Sequence, residues 1–287
     1  MSRKVFLNGN YVEEDKAKIS IFDRGVLFAD SVYEVTAFKD NKLLNFIAHL
    51  ERLRRSLKEI NIHYNIIDNE FIAIHKQLIK INNLENKEGL VYLQISRGNA
   101  ERDFLISKAK IKPNIFAFTQ EKIISNDPKL EKGLSIISVE DLRWKRRDIK
   151  STQLLYPSLV KTEAIKNGAD DAWMIDEQGN VTEGTSNNAY IILNNTIITR
   201  NLSNDILHGT TRRAVLNVAS NLKLKVEERP FSIEEAKNCQ EAFITSASTL
   251  IAPVIKIDNV TISNGSIGPI TKILRETYIK ISIKNGI

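Results

Sequence analysis

The chain has 287 residues, of which 42% are hydrophobic and 26% are charged. This length and composition fit one large or two ordinary globular domains, and they exclude disorder, collagen and coiled coil as whole-chain descriptions. The net charge is +6 at pH 7, but the excess lysines are spread along the chain, so composition gives nucleic-acid binding little support.

The single cysteine, Cys239, and the four scattered histidines limit the chemistry further. One cysteine cannot form an internal disulfide, which excludes a secreted disulfide scaffold. The histidines show no spacing typical of a zinc-binding helix, so we expect no metal site. No apolar run approaches the ~20 residues of a membrane span, and no apolar signal core follows the N-terminus. We therefore expect a cytoplasmic protein that does not bind a membrane.

The first 119 residues predict a smaller N-terminal α/β domain. Asn8-Gly9-Asn10 predicts a hairpin turn, because Asn-Gly readily supplies the positive φ of a tight turn. Apolar residues that recur every three or four positions predict two amphipathic helices. The predicted elements are strands at 5–7, 11–12, 32–38, 90–96 and 114–119, and helices at 46–60 and 71–81.

The polar residues 120–129 predict a linker, and residues 130–287 predict a larger C-terminal domain. Its predicted elements are strands at 134–139, 172–175, 189–193, 241–245 and 254–257, and helices at 154–166, 211–222 and 270–283. Strands and helices in both halves predict a two-domain α/β (α+β) protein.

Three familiar catalytic motifs are missing from the sequence. No GxxxxGK[ST] or GxGxxG is present, which argues against a P-loop ATPase and a Rossmann dinucleotide site. No GxSxG is present either, which argues against an α/β-hydrolase.

A basic segment at 143–150 ends in Lys150. Alone, it is typical of a solvated loop or a nucleic-acid patch. A lysine in such a segment can also form a Schiff base with an aldehyde.

Two later segments supply groups that would complement such a lysine. Residues 181–188 contain Glu183, and alone they indicate a turn rich in capping residues with a surface acid. Residues 208–213 open a predicted helix with small side chains, which leaves backbone N–H groups for a phosphate. Pyridoxal phosphate needs an amine for its aldehyde, an acid for its ring nitrogen and a cradle for its phosphate.

The chain resembles the fold-type IV pyridoxal-phosphate aminotransferases, and most closely those that act on D-amino acids. The resemblance rests on ordered segments along nearly the whole chain: Asp23-Arg24-Gly25, residues 31–34, residues 49–53, Arg97-Gly98, residues 148–151, residues 182–184, residues 209–212 and residues 245–247.

The resemblance implies a cofactor, pyridoxal 5′-phosphate, in the cleft between the two domains of a homodimer. It implies that Lys150 is the Schiff-base lysine and proton shuttle and that Glu183 pairs with the pyridine nitrogen. It implies that Arg52 binds the phosphate bidentately from the polar side of the first helix. The other residues implied at the site are Leu207, Thr210, Thr211, Ser246 and Ala247 for the cofactor and Tyr33 at the substrate mouth.

The sequence departs from the family pattern at the expected substrate carboxylate. D-amino-acid enzymes of this family carry an Arg-x-His pair that reaches in from the partner subunit. Arg102 fits the arginine, but Phe104 replaces the histidine. One carboxylate contact is therefore lost or replaced, and Arg24 and Arg143 are alternative clamps.

The activity that the resemblance implies is ping-pong transfer of an amino group between a D-amino acid and a 2-oxo acid. D-alanine or D-glutamate would be the donor, and 2-oxoglutarate or pyruvate the acceptor. The alternatives are a branched-chain L-amino-acid aminotransferase and an aminodeoxychorismate lyase. The branched-chain enzymes usually have a tyrosine five positions after the lysine, where this chain has Leu155. A nucleic-acid-binding protein that uses the basic segment is the alternative from another class.

Overall fold

A computed structural model describes residues 2–106 and 111–287. The chain divides into two compact units. Unit 1 comprises the described residues up to Ile123 together with Ile149–Gln153 and Asn285–Ile287, and unit 2 comprises Ile124–Asp148 and Leu154–Lys284.

The division between Ile123 and Ile124 falls inside the predicted linker, but two later segments group with unit 1. Backbone hydrogen bonds explain why these two segments group with unit 1. The amide of Tyr33 donates to the carbonyl oxygen of Lys150 at 3.0 Å, and the amide of Leu43 donates to the carbonyl oxygen of Ile287 at 2.8 Å. Unit 2 is therefore interrupted in sequence by the segment that contains Lys150.

Unit 1 is built on an antiparallel sheet, which in the described residues has six strands in the order β2-β1-β6-β5-β3-β4. Its strands are β1 (Lys4–Leu7), β2 (Asn10–Glu13), β3 (Ser31–Lys39), β4 (Lys42–Leu43), β5 (Glu88–Ser96) and β6 (Asn114–Glu121), and its α-helices are α1 (Arg24–Phe28), α2 (Phe46–Glu59) and α3 (Asp68–Ile81). All the strands and both long helices predicted for this part of the chain are confirmed.

Side-chain alternation gives the unit 1 sheet two different faces. Core residues of the strands, such as Val91 and Leu93, pack with the apolar stripe of α2, which includes Leu50 and Leu53. Alternate residues of the strands, such as Tyr92, are only partly buried. The predicted hairpin turn is confirmed, with φ of 49° at Asn8 and 94° at Gly9.

Unit 2 contains a mixed sheet, which in the described chain has nine strands. Eight follow the order β12-β11-β10-β13-β14-β7-β8-β9, and β15 pairs with β14. Its elements are α4 (Pro128–Lys132), β7 (Leu134–Glu140), α5 (Leu155–Lys166), β8 (Asp171–Ile175), β9 (Val181–Gly184), β10 (Asn188–Leu193), β11 (Thr196–Thr199), α6 (Thr210–Asn221), β12 (Lys225–Glu228), α7 (Ile233–Lys237), β13 (Glu241–Ser246), β14 (Leu250–Ile257), β15 (Val260–Thr261) and α8 (Pro269–Lys284).

The predicted mixture of strands and helices in both halves of the chain is confirmed. The interpretation of residues 181–184 as a turn is wrong, because they form strand β9 and all four are buried. Pairing with β8 overrides the weak strand propensity of this segment. No helix of the described chain combines the length and apolar character needed to span a membrane.

Candidate active site

Lys150 lies in unit 1, where strand β3 and helix α2 hold its backbone. Its carbonyl oxygen accepts from Tyr33, and its amide donates to Oγ of Ser56 at 3.3 Å. Its Nζ lies 4.1 Å from the centroid of the Tyr33 ring. A lysine ammonium at this distance is attracted by the negative face of the ring.

Tyr33 is itself held by a row of aromatic rings across the partly buried face of the unit 1 sheet. It stacks on Tyr92 with ring centroids 5.4 Å apart, and Tyr92 stacks on Phe118 at 5.0 Å. The Tyr92 hydroxyl donates to Gln94 at 2.7 Å. The ring that faces Lys150 is therefore packed on one side and has little freedom to move.

Arg52 lies on α2 and is buried, with 8% of its surface exposed. Its Nε and Nη2 donate to the Glu34 carboxylate at 2.8 and 2.7 Å. His49 Nδ1 lies 2.7 Å from the same carboxylate. The Nε–Nη2 edge of the guanidinium therefore faces Glu34.

The charges of this cluster follow from burial and pairing. Burial raises the pKa of Glu34, but Arg52 and His49 outweigh that effect and hold it at about 2. Burial lowers the pKa of His49, and the neighbouring Glu34 opposes that change. At neutral pH the cluster therefore contains an ionised Glu34 paired with the Arg52 cation.

Glu183 lies in unit 2 on β9, and it is buried, not the surface acid that its sequence context suggests. Its Oε1 accepts from Arg143 Nη1 at 2.6 Å, and its Oε2 accepts from Asn188 Nδ2 at 2.9 Å and from the Leu207 amide at 3.0 Å. Burial raises the pKa of Glu183, and Arg143 opposes the rise. Three hydrogen-bond donors thus surround a carboxylate whose pKa is raised by burial.

The basic segment is largely paired with carboxylates in unit 2. Arg143 binds Asp141 through Nε and Nη2 at 2.9 and 2.8 Å. Arg146 pairs with Asp148 at 3.0 Å, and Arg147 pairs with Asp141 at 3.3 Å. These arginines therefore do not form an unpaired cationic surface of the kind that binds a phosphate backbone.

Helix α6 begins as predicted, with Gly209 as its N-cap and Thr210 and Thr211 buried in its first turn. Among the described residues, no side chain caps the helix start. A side-chain carbon at Gly209 would overlap Oδ1 of Asn188, so the close approach of Asn188 requires glycine at this position. Backbone N–H groups at such a helix start favour an anion.

Leu207 and the turn after β13 lie in the same unit. The Leu207 carbonyl oxygen accepts from Asn188 at 3.0 Å, so one asparagine holds both Leu207 and Glu183. Ser246 Oγ accepts from the amides of Ser248 and Thr249 at 3.2 and 3.1 Å. Ala247 lies inside that turn.

Arg102 is exposed in unit 1, and its guanidinium carbon lies 5.7 Å from the Phe28 ring centroid and 5.6 Å from that of Phe104. Phe104, which replaces the expected histidine, thus contacts Arg102. Arg24, an alternative clamp, is buried and donates to Asp30 at 2.8 Å and to the Asp103 carbonyl oxygen at 2.7 Å.

The donor sets fit pyridoxal phosphate. Unit 2 offers a buried carboxylate for a ring nitrogen and an uncapped helix start for a phosphate, and unit 1 offers a lysine amine and a buried arginine. Sequence reasoning missed the partners Glu34, Asn188 and Asp141. The position of Glu34 beside Tyr33, within a family motif, was the available signal for the first of them.

Comparison with known proteins agrees with this assignment. The family model for amino-transferase class IV matches residues 31–257. A D-alanine aminotransferase of Staphylococcus haemolyticus is 37% identical over 278 residues, which cover 96% of this chain and 97% of the relative. A D-alanine aminotransferase of Bacillus licheniformis is 37% identical over 269 residues, which cover 94% of this chain and 93% of the relative.

Solved structures reproduce the fold at lower identity. A crystal structure of the Escherichia coli branched-chain amino acid aminotransferase has a TM-score of 0.89 at 19% identity, covering 99% of this chain and 96% of that chain. A branched-chain aminotransferase from Thermoproteus uzoniensis has a TM-score of 0.87 at 24% identity with the same coverage. At these identities the likeness concerns the fold alone.

Proposed function

The chain belongs to the class IV aminotransferases, whose members use pyridoxal phosphate, and we propose that it is a D-amino-acid aminotransferase. The reaction moves an amino group from a D-amino acid of the D-alanine or D-glutamate type to a 2-oxo acid such as 2-oxoglutarate or pyruvate. The observation that carries this proposal is the 37–38% identity to D-alanine aminotransferases over 96% of the chain.

Lys150 is the residue that holds the cofactor aldehyde and moves the substrate proton. When bound, pyridoxal phosphate supplies an electron-withdrawing pyridinium ring that stabilises negative charge at the substrate Cα. Nζ of Lys150 would act as the base that removes the proton from the substrate Cα and as the acid that returns it. The contact of Nζ with the Tyr33 ring, at 4.1 Å, supports a defined position for this amine.

Glu183 and Arg52 bind the two ends of the cofactor in this proposal. Glu183 would accept a hydrogen bond from the protonated ring nitrogen. Because Glu183 is buried, that ionic contact would be strong. Arg52 contributes a buried cation for the phosphate, and the backbone N–H groups at the start of α6 suit the same anion. Leu207 packs on the ring, and the backbone of Ser246 and Ala247 adds phosphate contacts.

Arg102 binds the substrate α-carboxylate. A guanidinium matches a carboxylate in charge and planarity. Phe28 and Phe104 lie against Arg102, which supports a preferred orientation of its side chain without the histidine of the relatives. Tyr33 lies at the mouth through which the substrate enters.

A homodimer completes the proposal, with Arg102 acting on the partner's site. The segment that carries Arg102 exposes large apolar side chains, since Phe104 and Leu105 are 79% and 77% exposed. Val26 on α1 is 66% exposed, and the Phe28–Phe104 ring contact at 5.6 Å links this helix to the segment. Exposed apolar side chains that adjoin in this way favour a protein interface. The proposed place of action is the cytoplasm.

A chiral assay tests the proposed activity. Purified protein with pyridoxal phosphate, D-alanine and 2-oxoglutarate is expected to yield pyruvate and D-glutamate in equal amounts, and L-alanine is expected to yield neither. Glutamate formed only from L-leucine would instead assign a branched-chain L-amino-acid aminotransferase. Pyruvate released from aminodeoxychorismate without an amino acceptor would assign the lyase.

A further inference from the structure

Arg143 connects Glu183 to a second buried carboxylate. Its Nη1 donates to Glu183 at 2.6 Å, while Nε and Nη2 donate to Asp141 at 2.9 and 2.8 Å. The side chain of Arg143 is 11% exposed, and that of Asp141 is fully buried. One guanidinium is therefore shared between two carboxylates in a setting where charges interact strongly.

Both carboxylates have further partners that fix their orientation. Asp141 accepts from Oγ1 of Thr182 at 2.6 Å and pairs with Arg147 at 3.3 Å. Glu183 receives its other two hydrogen bonds from neutral groups, Asn188 and the Leu207 amide. Arg143 is thus the cation in direct contact with Glu183, and Asp141 fixes the orientation of that cation.

We propose that Arg143, held by Asp141, is a positioning residue that keeps Glu183 ionised, so that the proton shared with the cofactor resides on the ring nitrogen. This inference rests on the proposed function, because it concerns the acid assigned to that nitrogen. It gives a role to an arginine that the sequence suggested only as an alternative carboxylate clamp.

The physical reason is a competition for one proton. Burial raises the pKa of Glu183, Arg143 lowers it, and the charge of Asp141 raises it. Without the Arg143 charge, the carboxylate becomes a stronger base and takes a larger share of the proton. The ring nitrogen then becomes neutral and withdraws electrons from Cα less effectively.

The test measures where that proton lies, independently of turnover. The apoprotein is loaded with pyridoxal phosphate labelled with ¹⁵N in the ring, and the nitrogen chemical shift is recorded against pH. Arg143→Met is expected to move the nitrogen resonance toward the value of an unprotonated ring. It is also expected to slow exchange of the Cα proton of D-alanine, roughly tenfold for each unit by which the pKa of Glu183 rises relative to that of the ring nitrogen. Lys145→Met is the matched control, because Lys145 lies in the same segment and its side chain is 85% exposed.

Asp141→Asn separates the charge effect from damage to the local structure. This substitution keeps a side-chain oxygen that can accept from Arg143 but removes the opposing charge. If Arg143 acts through its charge, Asp141→Asn therefore leaves the ring nitrogen protonated as in the wild type. If Arg143 only stabilises the fold around Glu183, Asp141→Asn and Arg143→Met disturb the resonance alike, which overturns the proposal. An unchanged resonance in Arg143→Met overturns it as well.

Arg143→Lys and Glu183→Gln complete the test. Should Arg143→Met fail to fold or to bind the cofactor, Arg143→Lys is used, and this variant is expected to keep a protonated ring nitrogen because it keeps the charge. Loss of that proton in Arg143→Lys contradicts the proposal. Glu183→Gln is the reference for the underlying function: if it leaves the resonance unchanged, Glu183 is not the partner of the ring nitrogen and the proposed function itself fails at this residue.

Discussion

Lys150 is the residue on which the proposed chemistry depends most directly. Lys150→Ala is expected to remain folded, because the side chain is partly exposed and its Nζ contacts the face of the Tyr33 ring. Turnover is expected to be lost, while weak cofactor binding persists through the phosphate contacts. Thermal unfolding by circular dichroism, together with mass spectrometry after borohydride treatment, measures both effects.

The matched control for this variant is Lys145→Ala, whose lysine is exposed. Borohydride is expected to fix the cofactor at Lys150 in the wild type and in the control, but at no lysine of Lys150→Ala. Cofactor fixed at a different lysine in that variant would show that Lys150 is the wrong residue.

Arg102 tests the assignment of the substrate carboxylate. A charge-assisted hydrogen bond to a desolvated carboxylate contributes roughly 1.5–3 kcal/mol, or about 10–150-fold in affinity. Arg102→Leu is expected to raise KM for D-alanine and D-glutamate within this range and to leave the absorbance of the bound cofactor unchanged. Steady-state kinetics measure the effect, with Arg229→Leu, a partly exposed arginine paired with Glu235, as the control.

Phe104→His restores the residue of the better-known relatives and complements this experiment. It is expected to maintain or lower KM for D-alanine, because a histidine can add a second contact to the carboxylate. Unchanged KM in Arg102→Leu would refute the role of Arg102 and weaken the local argument for D-amino acids.

Individual residues show how far sequence reasoning reaches. The family motifs predict Lys150, Glu183 and Arg52, but not the partners that orient them. Glu34 and Arg52 are 18 positions apart, and Arg143 and Glu183 are 40 positions apart. Only tertiary packing brings such pairs together, so neither periodicity nor local propensity could have indicated them.

The start of helix α6 is expected to contribute to the affinity for pyridoxal phosphate. In Gly209→Ala the new carbon would overlap Oδ1 of Asn188, and the displaced asparagine would lose its hydrogen bond to Glu183. The loss of one such bond to a buried carboxylate is expected to weaken pyridoxal phosphate binding roughly tenfold. Titration of the apoprotein by fluorescence measures this affinity.

Asn217→Ala, an exposed position on the same helix, is the control and is expected to bind the cofactor as the wild type does. Equal affinity in Gly209→Ala and the wild type would mean that the start of α6 tolerates a side chain and that the close approach of Asn188 is not needed for binding.

Helix α3 carries a prediction about pH. Burial lowers the pKa of His75 to about 4, although its hydrogen bond to the Phe71 carbonyl oxygen opposes the change. The unfolded chain takes up this proton near the ordinary pKa of about 6.5, whereas the folded chain takes it up only near 4. The stability linked to His75 is therefore complete above pH 6.5 and falls as the pH is lowered toward 4.

Urea unfolding at pH 7 and pH 5 tests this prediction. His75→Gln is expected to reduce the difference in unfolding free energy between the two pH values by about 2 kcal/mol. His63→Gln, at an exposed position, is expected to leave the difference as it is in the wild type. A His75→Gln protein with the wild-type difference would mean that His75 is not held neutral.

The elements that sequence reasoning predicted are those with a clear period. Helices α2, α3, α5, α6 and α8 are confirmed within a few residues. Helix α1 was missed because its five residues are too few for a periodic pattern, although Asp23 caps it by accepting from the Gly25 amide at 2.7 Å. Strand β9 was missed because tertiary pairing, not the local sequence, makes it a strand.

Subunit complementation tests whether the whole molecule is a dimer in which Arg102 acts on the partner's site. Lys150→Ala and Arg102→Leu are each impaired in a different part of the proposed site. If Arg102 serves the partner's site, a hybrid dimer of the two variants contains one site with both native residues. Co-expression is expected to restore up to about a quarter of the wild-type rate at low D-alanine, because half of randomly assorted dimers are hybrids with one intact site.

The control is a mixture of the two variants purified separately and not allowed to exchange subunits, which is expected to show no recovery. A hybrid no more active than this mixture would place Arg102 and Lys150 of one site on the same chain, which contradicts the proposed role across the interface.

The proposal as a whole is tested most directly by a half-reaction panel. The protein loaded with pyridoxal phosphate is mixed separately with D- and L-alanine, D- and L-glutamate, and D- and L-leucine, and the absorbance of the bound cofactor is followed without a 2-oxo acid. We predict that D-alanine and D-glutamate bleach this absorbance, that the L-enantiomers do not, and that adding 2-oxoglutarate restores it. Bleaching by L-leucine and L-glutamate with D-amino acids inert would contradict the assignment.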